Sequence, residues 1–185
     1  MTLGQSASMK VIHVDPTAPL ADANNSSVVL RLTLGGRALL LMGDAQGGAR
    51  AAPDSSVNSA EKEILARHAN ELDADIFQIG HHGSSTSSRK EFLAAVFPSR
   101  TASASRPRFS LLSAGPTPYA GQVLPDQSIV DEVTGFVPGM NLLKTNTHDR
   151  VGGPGNPDRC PTKDRVGVDD DAPGGCDNAI LELSP

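Results

Sequence analysis

The sequence predicts an α/β layered domain, and three observations carry that reading. Residues 27–34 alternate apolar and polar side chains with a period of two, the mark of a half-buried strand. A helical pattern over 59–72 separates that strand and its return from a short apolar run at 75–80. Beyond it the two patterns keep alternating, in the order β-ββ-α-β-α-β-α-β-loop-β, which is the layout of an α/β architecture.

The first β-type run is 10–14 (Lys-Val-Ile-His-Val), ended by Asp15-Pro16. In the next, Val28, Leu30, Leu32 and Leu34 share one face, and Val29, Arg31 and Thr33 the other. Gly35-Gly36 is a two-residue hairpin turn, because both central positions of a primed turn want positive φ. The chain returns over 37–42 as a more uniformly apolar strand closed by Gly43-Asp44. After a loop rich in Gly, Ala and Ser, Ser59 opens a helix with Ile64, Leu65, Ala69 and Leu72 on one face. Residues 75–80 form a short buried strand that delivers His81-His82-Gly83-Ser84 at its carboxyl end. A brief helix over 90–97 is stopped by Pro98; a strand at 109–113, a helix at 128–133 and strands at 141–144 and 179–183 follow. Residues 145–179 hold six Gly and four Pro with no apolar periodicity, so they read as a long irregular loop within a single domain spanning 1–185.

With 185 residues there is room for one domain of ordinary size, and with no Trp, one Tyr and five Phe its core must be aliphatic. No apolar run approaches the roughly 20 residues of a membrane helix. The first ten residues lack the apolar stretch of a secretory signal, which favours the cytoplasm. A net charge of −5 argues against unspecific coating of nucleic acid or of anionic membrane, although a local basic groove is compatible with it. Cys160 and Cys176 cannot build a tetrahedral zinc site by themselves; a disulfide and two free thiols are both open to them.

Chemistry points to two strand ends, Gly43-Asp44 and Gly80-His81-His82-Gly83-Ser84. Sites in α/β sheets gather at the carboxyl ends of strands, where side chains project into a crevice from rigid supports. Aspartate and histidine are ligands for Zn²⁺ or Mn²⁺, and the flanking glycines let backbone approach a metal or anion. Ser84 and Thr86 add hydroxyls beside the same strand end. Alone, an Asp after a strand is turn chemistry, and a glycine-flanked His pair can be a structural loop; together, at two strand ends joined through a helix, they are far more specific. His13 reads as structural, His68 as packed or exposed on its helix, and His148 lies in the irregular loop. Arg100, Arg106 and Arg108 either line a path for a polyanion or form a solvated basic loop, the second being favoured. Asp164 and Asp169-Asp170-Asp171 lack the ligand spacing of a calcium loop and read as solvated.

Residues 24–32 (Asn-Asn-Ser-Ser-Val-Val-Leu-Arg-Leu), 39–44 (Leu-Leu-Leu-Met-Gly-Asp) and 74–84 (Ala-Asp-Ile-Phe-Gln-Ile-Gly-His-His-Gly-Ser) together resemble the second half of a metallo-β-lactamase-fold domain, in the ComEC/Rec2-like competence branch. The resemblance covers roughly residues 10 to 115, and it implies half of an αββα sandwich, a mixed sheet with helices on one face. It further implies a metal-dependent hydrolase directed at phosphodiesters or nucleic acid, with Zn (or Mn) as cofactor. In that case Asp44 bridges two metals, His81 or His82 ligates one, and Ser84 and Thr86 lie near the scissile group. By sequence His81 is the favoured ligand, since it leaves the strand first. The His-x-His-x-Asp-His cluster of the family's first half is absent from these 185 residues. A catalytic zinc takes about three protein ligands, so the metal is expected to be incompletely coordinated and this chain to be inactive alone. An amino-terminal half-domain or self-association would complete it. The competing expectation is a non-catalytic binding or assembly module that keeps half of the fold.

Overall fold

The computed structural model describes residues 2–3, 6–16, 20–50, 58–103, 105–114, 121–145, 166–167 and 178–179. Strands β1 (Thr2–Leu3), β2 (Ala7–His13), β3 (Val29–Leu34) and β4 (Arg37–Leu41) run antiparallel in sequence. The Gly35-Gly36 turn joins the β3–β4 hairpin, both glycines taking positive φ, 53° and 80°. Strands β5 (Ile76–Gln78), β6 (Phe109–Leu112) and β7 (Asn141–Lys144) then add parallel to β4, giving one mixed seven-stranded sheet in chain order. Val166–Gly167 (β8) and Asn178–Ala179 (β9) form a separate pair. The rest of the expected final strand, both cysteines, His148 and the acidic run at 169–171 lie outside the described residues.

Helices α1 (Ala60–His68), α2 (Lys90–Val96) and α3 (Gln127–Phe136) connect the successive parallel strands. Parallel crossovers are right-handed, so strands added in one direction put every connecting helix on the same face. The core shows the result: Ile64 of α1, Phe92, Leu93 and Val96 of α2, and Ile129 and Val133 of α3 pack with Val29, Leu40, Phe77 and Leu112. The α1 boundary is set as the sequence indicates, with the Ser59 side chain accepting the Lys62 amide at 3.3 Å.

Strand register sorts the other face. Val11, Leu30 and Leu41 are in line, as are Leu32, Leu39, Ile76 and Phe109. These side chains stand outside the core, and all but Ile76 are partly or largely exposed, Val11 to 49%. Alternation in β3 therefore identifies the strand, while the face buried under helices is that of Val29 rather than the leucine face.

At the opposite end from the His81-His82 turn, where β5 and β6 begin, the arginines depart in part from expectation. Arg100 and Arg106 keep solvent contact, as a solvated loop would, whereas Arg108 is buried and Arg106 and Arg108 are committed to carboxylates. Arg108 is fully buried, pairs with Asp73 at 3.0 Å and lies over the Phe97 ring; Arg106 binds Asp75 at 2.7 Å and Asp73 at 3.2 Å; Arg100 stacks on Phe136. Parallel pairing puts the residues before β6 beside those before β5, which brings distant opposite charges together. Asp75 is the hub. Its carboxylate also accepts the Ala38 amide at 2.9 Å, its own amide donates to Ala38 O at 2.9 Å, and its carbonyl accepts Phe109 N–H at 2.9 Å. Burial opposes its charge, but Arg106, the Ala38 amide and Arg37 outweigh that and hold its pKa below the ordinary carboxylate value.

Among the described residues, no helix is long and apolar enough to cross a membrane.

Asp75→Ala leaves the buried Ala38 amide without its carboxylate acceptor and the half-exposed Arg106 with Asp73 alone, and should cost about 2 kcal/mol of unfolding free energy in urea titration. Because the Asp75 pKa is lowered on folding, its contribution is full above about pH 4 and is lost as pH falls through the folded-state value. Asp75→Ala should flatten that part of the acid profile.

Candidate functional site

Asp44 and His82 meet at the carboxyl ends of adjacent parallel strands. The turn after β4 is fixed from three directions: Met42 N–H donates to Gln78 Oε1 at 3.1 Å, Asp44 N–H to Ser27 Oγ at 3.1 Å, and His81 N–H to Gly43 O at 3.0 Å. After β5 the chain makes one tight turn over His81–Gly83, in which His81 (φ 46°) and His82 (φ 54°) both adopt the left-handed region. For non-glycine residues such conformations cost on the order of 1–3 kcal/mol each, and they cluster where function requires a particular side-chain direction. The turn is held by Gly83 N–H on Gly80 O at 3.0 Å and Ser84 N–H on His81 O at 2.9 Å.

This turn swings the second imidazole, rather than the first, back across the strand ends. His82 Nε2 lies 3.2 Å from Asp44 Oδ1, both side chains about half exposed (50% and 47%). His82 Nδ1 donates to Ser113 O, at the end of β6, at 2.7 Å. Since a carbonyl only accepts, Nδ1 carries the proton, and in the neutral ring Nε2 is then an acceptor facing a carboxylate oxygen. Two acceptors at that separation call for a cation between them, either a second ring proton or a metal. A backbone carbonyl on the remote nitrogen is also how metal-binding imidazoles are oriented.

His81 is set differently. Its Nδ1 meets Thr86 Oγ1 at 3.1 Å, and Thr86 Oγ1 also meets Ser84 Oγ at 3.2 Å. Burial foremost lowers the His81 pKa, with Asp44 opposing and His82 adding to the shift. Ser84 is buried and Thr86 part-exposed. Asp126, just ahead of α3, accepts Ser85 N–H at 2.6 Å and donates its own amide to Gly83 O at 2.9 Å. A Cβ on Gly83 (φ 74°) would sit 2.7 Å from Pro125 Cβ and 3.0 Å from Leu112 Cδ1, so glycine is required there on both conformational and steric grounds.

His13 and His68 are engaged elsewhere. His13 is buried with Nε2 2.9 Å from Asn25 O, the structural role expected of it, and His68 Nδ1 meets Glu71 at 2.9 Å. Among the described residues, no group of three His, Cys, Asp or Glu is placed to hold a metal ion. Asp44 and His82 face each other with His81 beside them, and among the described residues this donor set does not fit a complete catalytic metal centre.

Sequence reasoning missed Gln78, Ser113, Asp126 and Glu61. Gln78 left a signal, as a polar residue inside the apolar run 75–80. Ser113 acts through its carbonyl, which no side-chain pattern reveals. Asp126 and Glu61 bind loop amides from 41 and 27 residues away in sequence.

No family model matches the chain. Over 126 residues, 68% of its length, it is 34% identical to Competence protein ComA of Neisseria gonorrhoeae. Over 105 residues, 56% of its length, it is 32% identical to ComE operon protein 3 of Bacillus subtilis. These matches support a competence-protein family for the chain. It covers 15% and 11% of those two relatives, so it is similar to a short portion of much longer proteins.

Two outcomes follow from the geometry. Gly83→Ala should lower stability by about 2 kcal/mol or more in denaturant titration, since it adds left-handed strain to a clash. Nitrogen-15 NMR of the histidine rings should show His82 Nδ1 protonated throughout the neutral range; a bare Nδ1 would contradict the Ser113 contact.

Proposed function

We propose that this chain is the carboxyl-terminal half of a metallo-β-lactamase-type hydrolase domain with a role in DNA-uptake competence, acting on phosphodiesters once its other half is in place. The observation that carries this reading is the approach of His82 Nε2 to Asp44 Oδ1 at 3.2 Å, with His82 Nδ1 committed to Ser113 O. The competence relatives support the setting. A divalent metal, Zn or Mn, would supply Lewis-acid chemistry at that pair, but two or three donors do not make its site, so the remaining ligands must come from outside these residues.

Asp44 presents a carboxylate whose backbone amide is fixed by Ser27 Oγ, and His82 presents Nε2 in one ring orientation. Ser84 and Thr86 offer hydroxyls at the mouth of the turn, next to His81, where a phosphate oxygen would find donors. The neighbouring sheet face, with Val11, Leu30, Leu32, Leu39, Leu41 and Phe109 outside the core, supports an occupant that is itself an apolar sheet layer. We assign that place to the amino-terminal half-domain rather than to a second copy, because the relatives extend far beyond the matched region.

The same face, taken with the short ligand count, favours a second reading, a non-catalytic assembly module.

Purified chain supplied with Zn²⁺ or Mn²⁺ should turn over a generic phosphodiester weakly or not at all, and metal analysis should find fewer than two tight equivalents. Two tight equivalents with turnover would overturn the incompleteness. Joined to a half-domain carrying the His-x-His-x-Asp-His cluster, the chain should gain activity, and Asp44→Asn or His82→Ala should then reduce it on the order of 100-fold or more. A joined form that folds, binds no metal and remains inactive would leave the module reading.

A further inference from the structure

The loop over 84–89, which carries Ser84 and Thr86, is fastened from behind by a side chain outside the site. Glu61, the second residue of α1, is only 2% exposed. Its Oε1 accepts the Ser88 amide at 2.5 Å and its Oε2 accepts the Arg89 amide at 3.0 Å. Its own amide donates to Gln46 O at 3.0 Å, in the loop after β4 that also holds Asp44. Gly47 closes the connection by donating to Thr86 O at 2.8 Å, and a Cβ there would run into the Glu61 carboxylate and, at 2.6 Å, into the Arg89 stem.

The loop does not hold this shape by itself. Ser88 is fully buried in the left-handed region (φ 54°), and its hydroxyl finds no partner. Such a conformation persists only where the surroundings impose it. A carboxylate suits the task because two amides converge on it and it offers two acceptor oxygens, whereas a glutamine would turn one of them into a donor facing N–H.

We propose that Glu61 is a positioning residue: by gripping the Ser88 and Arg89 amides it holds the 84–89 loop so that Thr86 reaches both His81 and Gly47. The proposal rests on reading Asp44, His81 and His82 as the site, and it adds a group that touches none of them. The charged groups around Glu61 are Arg50, which donates to Ser87 O and Ser88 O and pairs with Glu132 at 2.7 Å, and Arg89, with Lys62 and Glu91 lining the adjoining cavity of about 170 Å³. Burial raises the Glu61 pKa to about 7, against the pull of the Arg89 and Ser88 amides and of the Arg50 and Arg89 charges. Gaining a proton near neutrality converts one acceptor oxygen into a donor and releases one amide. The loop, and with it the Thr86–His81 contact, is thereby coupled to pH through Glu61.

NMR titration of the full chain between pH 5 and 8 tests this without metal or turnover. The Glu61 side-chain carboxyl carbon and the Ser88 and Arg89 amides should titrate in step, with a common midpoint near 7. In Glu61→Gln both amides should lose that transition, and the Thr86 and His81 resonances should shift. Amides that stay flat in the wild type, or that titrate unchanged in E61Q, would overturn the proposal; the latter result would assign the transition to the histidines. Should E61Q fail to fold, a Glu61 carbon titrating out of step with the two amides in the wild type would overturn it equally. An inactive joined enzyme whose amides still follow Glu61 would count against the hydrolase reading alone.

Discussion

Asp75 stands where β4, β5 and β6 begin, its backbone bonded to Ala38 and Phe109 and its carboxylate to the Ala38 amide, Arg37 and Arg106. Parallel strands have no hairpin to set their register, so it must be set by contacts distant in sequence. The three-residue β5 pairs with β4 through only two aligned positions, Leu39 with Ile76 and Leu40 with Phe77. A charged junction at one end of such short strands therefore determines what emerges at the other. One residue of slip would turn each side chain to the opposite face, and Asp44, His82 and Ser113 O would no longer face one another.

With register fixed, the site is assembled by over-determination rather than by local preference. Two successive histidines in the left-handed region are held by the backbone of the β4 turn, by Ser113 and by the α3 approach through Asp126 and Pro125. Glu61 and Gly47 do the same for the next loop. The strain at His81, His82 and Ser88 lies within eight residues, next to the groups with chemical potential, and its stabilisation comes from helices and loops on the covered face. Binding chemistry and packing meet in this segment. Its sequence is correspondingly crowded with Gly and Ser.

The two faces of the sheet differ in kind. Under the helices lies a closed core of Leu, Ile, Val and three Phe, with Phe77 edge-on to Phe97. The other face repeats leucine along β3 and β4 without joining that core. Burial of apolar area is worth about 25 cal/mol per Å², so leaving such a face to water costs the chain much of what its second layer would provide. Under the proposed reading the same incompleteness appears in the donors, since among the described residues Asp44 and His82 face each other without a third ligand placed to join them. Both features lie on the same sheet, the leucine face on β3 and β4 and the Asp44–His82 pair at the ends of β4 and β5.

Sequence alone determined the elements and their order: the β3–β4 hairpin from alternation and Gly35-Gly36, α1 from its Ser59 cap and apolar stripe, and the short strand before His81. These rest on turn chemistry and on near-neighbour periodicity, which are local properties. It also singled out Asp44, His81 and His82, because strand ends flanked by glycine are legible from composition. Only the tertiary structure decided which imidazole faces Asp44, that the arginines at 106 and 108 are spent on Asp73 and Asp75, that the leucine face stands outside the core, and that Glu61 fastens the site loop. Each depends on which segments become neighbours in the sheet. That choice joins residues 27 to 41 positions apart, beyond the reach of any local pattern.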